Sequence, residues 1–294
     1  MNQVMGYFFA IVTSICFSLY VVPKKIMKEK TTYYTVYLTC GFCLTSTILY
    51  VIFNIFGICK EKVTMEILGV LLLRGLLWFL SLYIYARAID KIGISMAVQY
   101  QSLKTPLGVL LTLIFLSEFL YTNVSKVIIS AILIFMSALL LTIKKSPRKK
   151  IDKSGILYAI ISAILLATTN LLQKWVTNQG IVYSQHLFTS LSSFICSLMY
   201  VFIRHDKLKN LLVVPKKNIM LAFLGGTAFY FASFFQALAY KRLPASVVTI
   251  IVQLSTIWSI LLGVIVFKEI DVRKHWKRIG LGVFISIFAI IILI

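Results

Sequence analysis

The stretch ARAIDKIGISMAVQYQSLKTPLGVLLTLIFLSE, residues 86–118, lies over ALAYKRLPASVVTIIVQLSTIWSILLGVIVFKE, residues 237–269, at a constant offset of 151. Ala88 falls on Ala239, Ser95 on Ser246, Leu103 on Leu254, Thr105 on Thr256 and Glu118 on Glu269. The echo reaches back to the start of each half. GYFFAIVTSICFSLYVVPKKI, beginning at Gly6, matches GILYAIISAILLATTNLLQKW, beginning at Gly155, and sets Ala10 on Ala159 and Lys25 on Lys174. Self-similarity at a fixed spacing marks a duplicated unit.

Hydropathy shows what the unit is made of. The chain is 60% hydrophobic with a mean hydropathy of +0.94, well beyond the roughly 45–50% apolar content of soluble domains. Apolar stretches long enough to cross a hydrocarbon core of about 30 Å recur at 5–26, 33–56, 65–87, 92–116, 124–143, 155–175, 182–203, 218–239, 244–267 and 278–294. These ten spans predict an all-α, polytopic membrane protein, because lipid offers no partner to an unpaired backbone amide. The first span reads as a retained helix: it has neither a basic leader nor a small-residue cleavage site. The connections are too short for a soluble domain.

Each half therefore has five spans: residues 1–146 form the first repeat, 147–154 a basic linker and 155–294 the second repeat. Five is odd, so the halves enter the membrane from opposite sides, as two inverted five-helix repeats. Inverted repeats are a common architecture of secondary transporters, in which alternating access comes from rocking one part against another around a central site.

The net charge of +21 acquires meaning once it is sorted by side. Twenty-two of the 30 Lys and Arg fall in connections after odd-numbered spans and six after even-numbered ones. By the positive-inside rule the odd connections face the cytoplasm and both termini are extracytoplasmic. Runs such as KKSPRKK at 144–150 are accounted for by anionic lipid head groups, so no nucleic-acid partner is implied. Cys40 and Cys43 form a Cys-x-x-Cys inside an apolar span with no second pair or His at metal spacing, and read as packing residues.

With ten spans, a five-plus-five repeat, Ile92-Gly93-Ile94-Ser95 and Leu243-Pro244-Ala245-Ser246 leading into the fourth and ninth spans, and the acidic ends Ser117-Glu118 and Lys268-Glu269, the chain resembles the EamA-type members of the drug/metabolite transporter superfamily. The resemblance implies a central cavity lined by spans 1, 3, 4, 6, 8 and 9, with spans 5 and 10 peripheral. It does not name a substrate.

Two cations remain after the loops and helix ends are accounted for: Arg74 and Lys104, each near mid-span. A cation at the bilayer centre costs at least about 2.5–3.5 kcal/mol and is expected to face the bundle interior with a partner. The nine acids offer none at that depth, since all lie in loops or within about two turns of a helix end. One resolution is that the cargo supplies the counter-ion. A carboxylate or phosphate would then meet Arg74 as a fork and Lys104 as a point charge. The other is structural: both cations donate to freed main-chain carbonyls and water, or Lys104 is uncharged through desolvation and then also able to carry a proton.

Gln101, Lys104 and Gly108 share one helix face. Pro106 leaves the carbonyl of Ser102 without its usual donor. Lys104 is matched by Ser255 in the second half, with Gln253 and Thr256 beside it. Tyr20 and Ser18 on the first span, Thr168, Thr169 and Asn170 on the sixth, and Trp78 one turn from Arg74 complete the candidates. The substrate-binding set is thus Arg74, Lys104, Gln101, Trp78, Tyr20, Asn170, Gln253 and Ser255. His186 lies about a turn inside its span and is given no proton relay.

No paired Asp, His-rich cluster or Ser/His combination sits at spanning depth, so no catalytic residue, metal or cofactor is expected. The sequence favours a secondary transporter for an amino acid or other small organic anion. An exporter of drugs or neutral metabolites, with Arg74 and Lys104 structural, is the alternative within the fold. A channel or non-transporting scaffold is the alternative outside it.

Overall fold

The computed structural model describes residues 2–20, 22–27, 30–141, 152–203, 213–265 and 272–293. The basic run at 144–150, most of the linker at 147–154, and Glu269 lie outside these residues. The helices are α1 (Asn2–Leu19), α2 (Val22–Ile26), α3 (Thr31–Ile55), α4 (Met65–Ile92), α5 (Ile94–Gln101), α6 (Lys104–Phe115), α7 (Val124–Leu141), α8 (Lys153–Asn178), α9 (Gln185–Ile203), α10 (Lys216–Tyr240), α11 (Ala245–Val252), α12 (Ser255–Ile265) and α13 (Val272–Leu293). Eight helical segments are long and apolar enough to cross a membrane. The fourth and ninth spans are each split into two shorter helices, α5 with α6 and α11 with α12, which together reach the required length. The protein is an all-helical, multi-pass membrane protein of ten crossings.

Contacts between the crossings survive exchange of the two halves. The third packs on the sixth (α4 on α8), and its image, the eighth on the first (α10 on α1), is also present. The second meets the eighth (α3 and α10) as the seventh meets the third (α9 and α4). Three contacts join equivalent crossings directly: α3 with α9, α6 of the fourth with α11 of the ninth, and α7 with α13.

Hydrogen bonds give the direction of each of these pairs. Thr39 bonds Ser197 at 2.8 Å and Ser46 bonds Ser190, so α3 and α9 run antiparallel. At the offset of 151 each of these bonds maps onto the other. Ser137 on α7 pairs with Ser286 on α13, and Arg278 donates to the Leu140 carbonyl at 2.7 Å. Thr105 donates to Gln253 at 2.7 Å while Gly108 faces Thr249. All three pairs of equivalent crossings are antiparallel, which requires halves of opposite orientation.

Small residues set the close crossings, again in image pairs. A Cβ on Gly155 would lie 2.5 Å from Ile92 and 3.0 Å from Lys91, and one on Gly6 would lie 2.7 Å from Leu243 and 3.1 Å from Arg242. Gly75 abuts the Thr189 carbonyl and Ser192 of α9, and Gly226, 151 residues on, abuts the Leu38 carbonyl and Phe42 amide of α3. In lipid, helices gain little from hydrophobic burial against one another, so such close backbone approach carries much of the association.

Charged side chains at the helix ends cap the backbone or pair with one another. Glu118 is fully buried, and its carboxylate accepts the N–H groups of Ala245 (2.5 Å) and Ser246 (2.9 Å) at the start of α11. Glu61 accepts those of Val182, Tyr183 and Ser184 ahead of α9. A carboxylate here satisfies orphan donors and meets the positive end of the helix dipole. Lys174 donates to the carbonyls of Tyr240 (2.6 Å) and Leu243 (3.0 Å) at the end of α10. In the other half Lys24, one residue before the sequence match at Lys25, reaches Thr31 and pairs with Asp90 at 3.2 Å. The shift of one residue accompanies the division of the first crossing into α1 and α2, where α8 is continuous.

Candidate functional site

The two divided crossings are interrupted at corresponding places. α5 ends at Gln101 and α6 begins at Lys104; α11 ends at Val252 and α12 begins at Ser255, which is 151 residues later. In the first half Pro106 lacks the N–H that would reach Ser102, and the Ser102 carbonyl takes the Thr105 N–H at 3.1 Å instead. The second half makes the same tight turn, Thr256 N–H to Gln253 carbonyl at 3.0 Å, with Ile257 where the proline would stand. Proline is therefore not the only cause. In both turns a polar side chain bonds its neighbourhood: Ser102 donates to the Gln99 carbonyl at 2.6 Å, and the Gln253 amide donates to Thr256 at 3.0 Å. Such local bonds compete with regular helix. The buried Thr105–Gln253 bond ties the two breaks together.

A small cavity lies beside them, bordered by Tyr20, Arg74, Trp78, Lys104, Asn170 and Gln253 among others. Its free space of about 30 Å³ is room for one or two waters. A second cavity of about 40 Å³ shares Phe17, Tyr20, Lys104 and Gln253 with the first and adds Tyr85, Gln101, Ser255 and Thr256. Lys104 thus stands where the two chambers meet. All eight residues expected from sequence border one chamber or the other. The linings come from the first, third, fourth, sixth, eighth and ninth crossings, as the resemblance implied, and Thr189 adds the seventh.

The two cations are held differently. Arg74 is 4% exposed. Its guanidinium donates to the Gln185 side-chain oxygen (3.4 Å), Thr189 hydroxyl (3.3 Å) and Ser233 hydroxyl (3.1 Å). These oxygens are all neutral, the bonds are long for charge-assisted ones, and Nε–H has no partner. Lys104 makes no hydrogen bond or ion pair with any described residue. Among the described lining residues of both cavities there is no carboxylate.

The remaining candidates sort by what they touch. Gln101 donates to Ser162 on α8 at 3.1 Å. Asn170 and Thr169 border the first cavity, while Ser18 and Thr168 bond carbonyls of their own helices. Trp78 packs on Phe229, centroids 4.2 Å apart and rings tilted by 33°, rather than on the Arg74 guanidinium. With Phe17, Tyr20 and Phe229 it makes one wall aromatic. The sequence reading missed Gln173, Gln185, Thr189 and Ser233, the polar belt around Arg74. Gln173 and Gln185 carried the same signal as Asn170, an amide inside an apolar span. His186 is fully buried against Tyr230 and Phe234 with neither ring nitrogen hydrogen-bonded.

Residues 153–294 match the model of the EamA-like transporter family. A solved crystal structure shares the fold over 99% of this chain and 95% of its own, with a TM-score of 0.73 at 14% identity. No curated protein matches the chain. The second half of the chain thus matches the EamA-like transporter family, consistent with an EamA-type drug/metabolite transporter, and the whole length shares the fold of the solved structure.

Proposed function

We propose that this protein is a secondary transporter that carries a small organic anion or zwitterion, such as an amino acid, across the cytoplasmic membrane by alternating access. One observation carries the anionic part: Arg74 and Lys104 border one cavity that has no carboxylate among its described lining residues. A carboxylate entering it gains two cationic partners and fills the unmet Nε–H of Arg74. The half-repeats, residues 1–146 and 155–294 with the basic linker 147–154 between them, rock about the Thr105–Gln253 contact so that the cavity opens to either side. The excess of basic residues in the odd connections puts both termini on the extracytoplasmic side.

A second reading has its own support. The neutral belt of Gln185, Thr189 and Ser233 holds Arg74 without any ligand, as in a carrier of neutral metabolites or drugs whose cations are structural.

Thermal-shift measurements in detergent against amino acids, dicarboxylates and neutral analogues separate the two. On the anion reading, carboxylates stabilise the wild type and lose that effect in both Arg74→Gln and Lys104→Gln. Equal stabilisation of wild type and both variants would remove the anion site and leave the neutral-cargo reading.

A further inference from the structure

Arg74 and Lys104 differ in a way that bears on energy coupling. The Arg74 charge is met by three side-chain oxygens, and a guanidinium does not deprotonate in proteins. The Lys104 ammonium has no acceptor among the described residues, shares its cavity with Arg74, and borders both chambers. The titratable or charged groups facing it are Arg74 and Tyr85 from α4 and Tyr20 from the first crossing. The sixth, eighth and ninth crossings present only neutral groups, among them Asn170, Ser233, Gln253 and Ser255.

We infer that Lys104 is the proton-carrying group of this transporter: neutral in the empty carrier, protonated when the anion is bound, so that anion and proton move together. The inference rests on the anion-site reading above. Without cargo, a second positive charge in the cavity that Arg74 lines has neither a hydrogen-bond acceptor nor a counter-ion, and losing the proton removes that cost. With a carboxylate present, the Lys104 amine takes a proton from water and becomes its ion-pair partner. By linkage the anion raises proton affinity by the factor that the proton raises anion affinity. Its place at the junction of the chambers lets one amine exchange protons with whichever side is open. Arg74 supplies the constant charge and Lys104 the variable one.

The test uses the full chain in detergent, titrated calorimetrically with succinate and with L-glutamate at pH 6.5, 7.5 and 8.5. Two buffers of different ionisation enthalpy report the protons taken up. The carboxylates of L-glutamate stay ionised throughout this range, and those of succinate at pH 7.5 and 8.5. Wild type is expected to absorb a proton with the anion and to bind up to tenfold more weakly per pH unit where the free amine is neutral. Lys104→Arg, a cation that does not titrate, is expected to bind the same probe with no proton uptake. Lys104→Met, which removes the charge together with the proton site, is expected to bind more weakly and with no proton uptake. Proton uptake that persists in both variants, or binding to wild type with none at any pH, overturns the proposal and leaves the anion site standing. Absence of binding by either probe to wild type overturns the anion reading together with this one.

Discussion

Gly226→Ala tests the packing that holds the two halves in register. The added Cβ would lie 2.5 Å from the Phe42 amide and closer still to the Leu38 carbonyl. Both are backbone atoms of α3, so no side-chain rotation relieves the overlap. Ordinary contact begins near 3.4 Å, and α10 and α3 must move apart by about 1 Å, forfeiting dispersion along the crossing. Overpacking of this kind costs about 1–3 kcal/mol. At roughly 2–4 °C per kcal/mol for a large domain, the melting temperature should fall by about 2–12 °C. Gly75→Ala is the image substitution, with Ser192 Cβ at 2.6 Å and the Thr189 carbonyl nearer, and should behave alike. Gly69 and Gly280 have nothing within 4 Å of the added methyl, and alanine there should stabilise the helix by about 0.5–1 kcal/mol. Melting of purified protein, followed by tryptophan fluorescence, ranks the four. If Gly69→Ala melts as early as Gly226→Ala, the assignment of these crossings is refuted.

Three further outcomes follow from the helix ends. Glu118→Gln turns an NH2 toward a backbone donor and removes a buried charge at the start of α11; the loss of one charge-assisted bond should cost about 1.5–3 kcal/mol, read in the same melting assay, and a shift under 1 °C would contradict the cap. The Asp152 carboxyl is drawn down to about 2 by its bonds to Ser154 and Lys91; a depressed carboxylate contributes stability above its unfolded value near 4 and loses it as pH falls toward 2. In Asp152→Asn the acid dependence of unfolding over pH 4 to 2 should therefore flatten, whereas an unchanged profile would assign it to other groups. Cys59, in the connection between α3 and α4, should react with a membrane-impermeant maleimide in intact cells; burial raises its thiol, so labelling is slower than for a free thiol, and labelling only after permeabilisation would reverse the proposed orientation.

The sequence reading was strongest where chemistry forces a pattern on one segment. Ten spans, the duplication at 151 and the mid-span cations are all local features, and each reappears in the fold. The break in the fourth crossing was legible through Pro106. Its image in the ninth was not, because Gln253 and Thr256 produce the same turn without a proline. The partners of Arg74 lie 111, 115 and 159 residues away, and no spacing rule connects such distant positions. Trp78 sits one turn from Arg74, and its packing on Phe229, across the bundle, is a tertiary choice that local proximity did not anticipate. The cap role of Glu118 was hidden for the same reason. A carboxylate near a helix end looks solvated in sequence, and only the fold brings the start of α11 onto it.

The most direct measurement is transport itself. Purified protein in liposomes, preloaded with unlabelled L-glutamate or succinate, is tested for counterflow accumulation of the radiolabelled carboxylate. An anion cavity between Arg74 and Lys104 predicts accumulation by wild type that falls at least tenfold in Arg74→Gln and is lost in the double variant Arg74→Gln, Lys104→Gln. Accumulation by the double variant equal to wild type would contradict it.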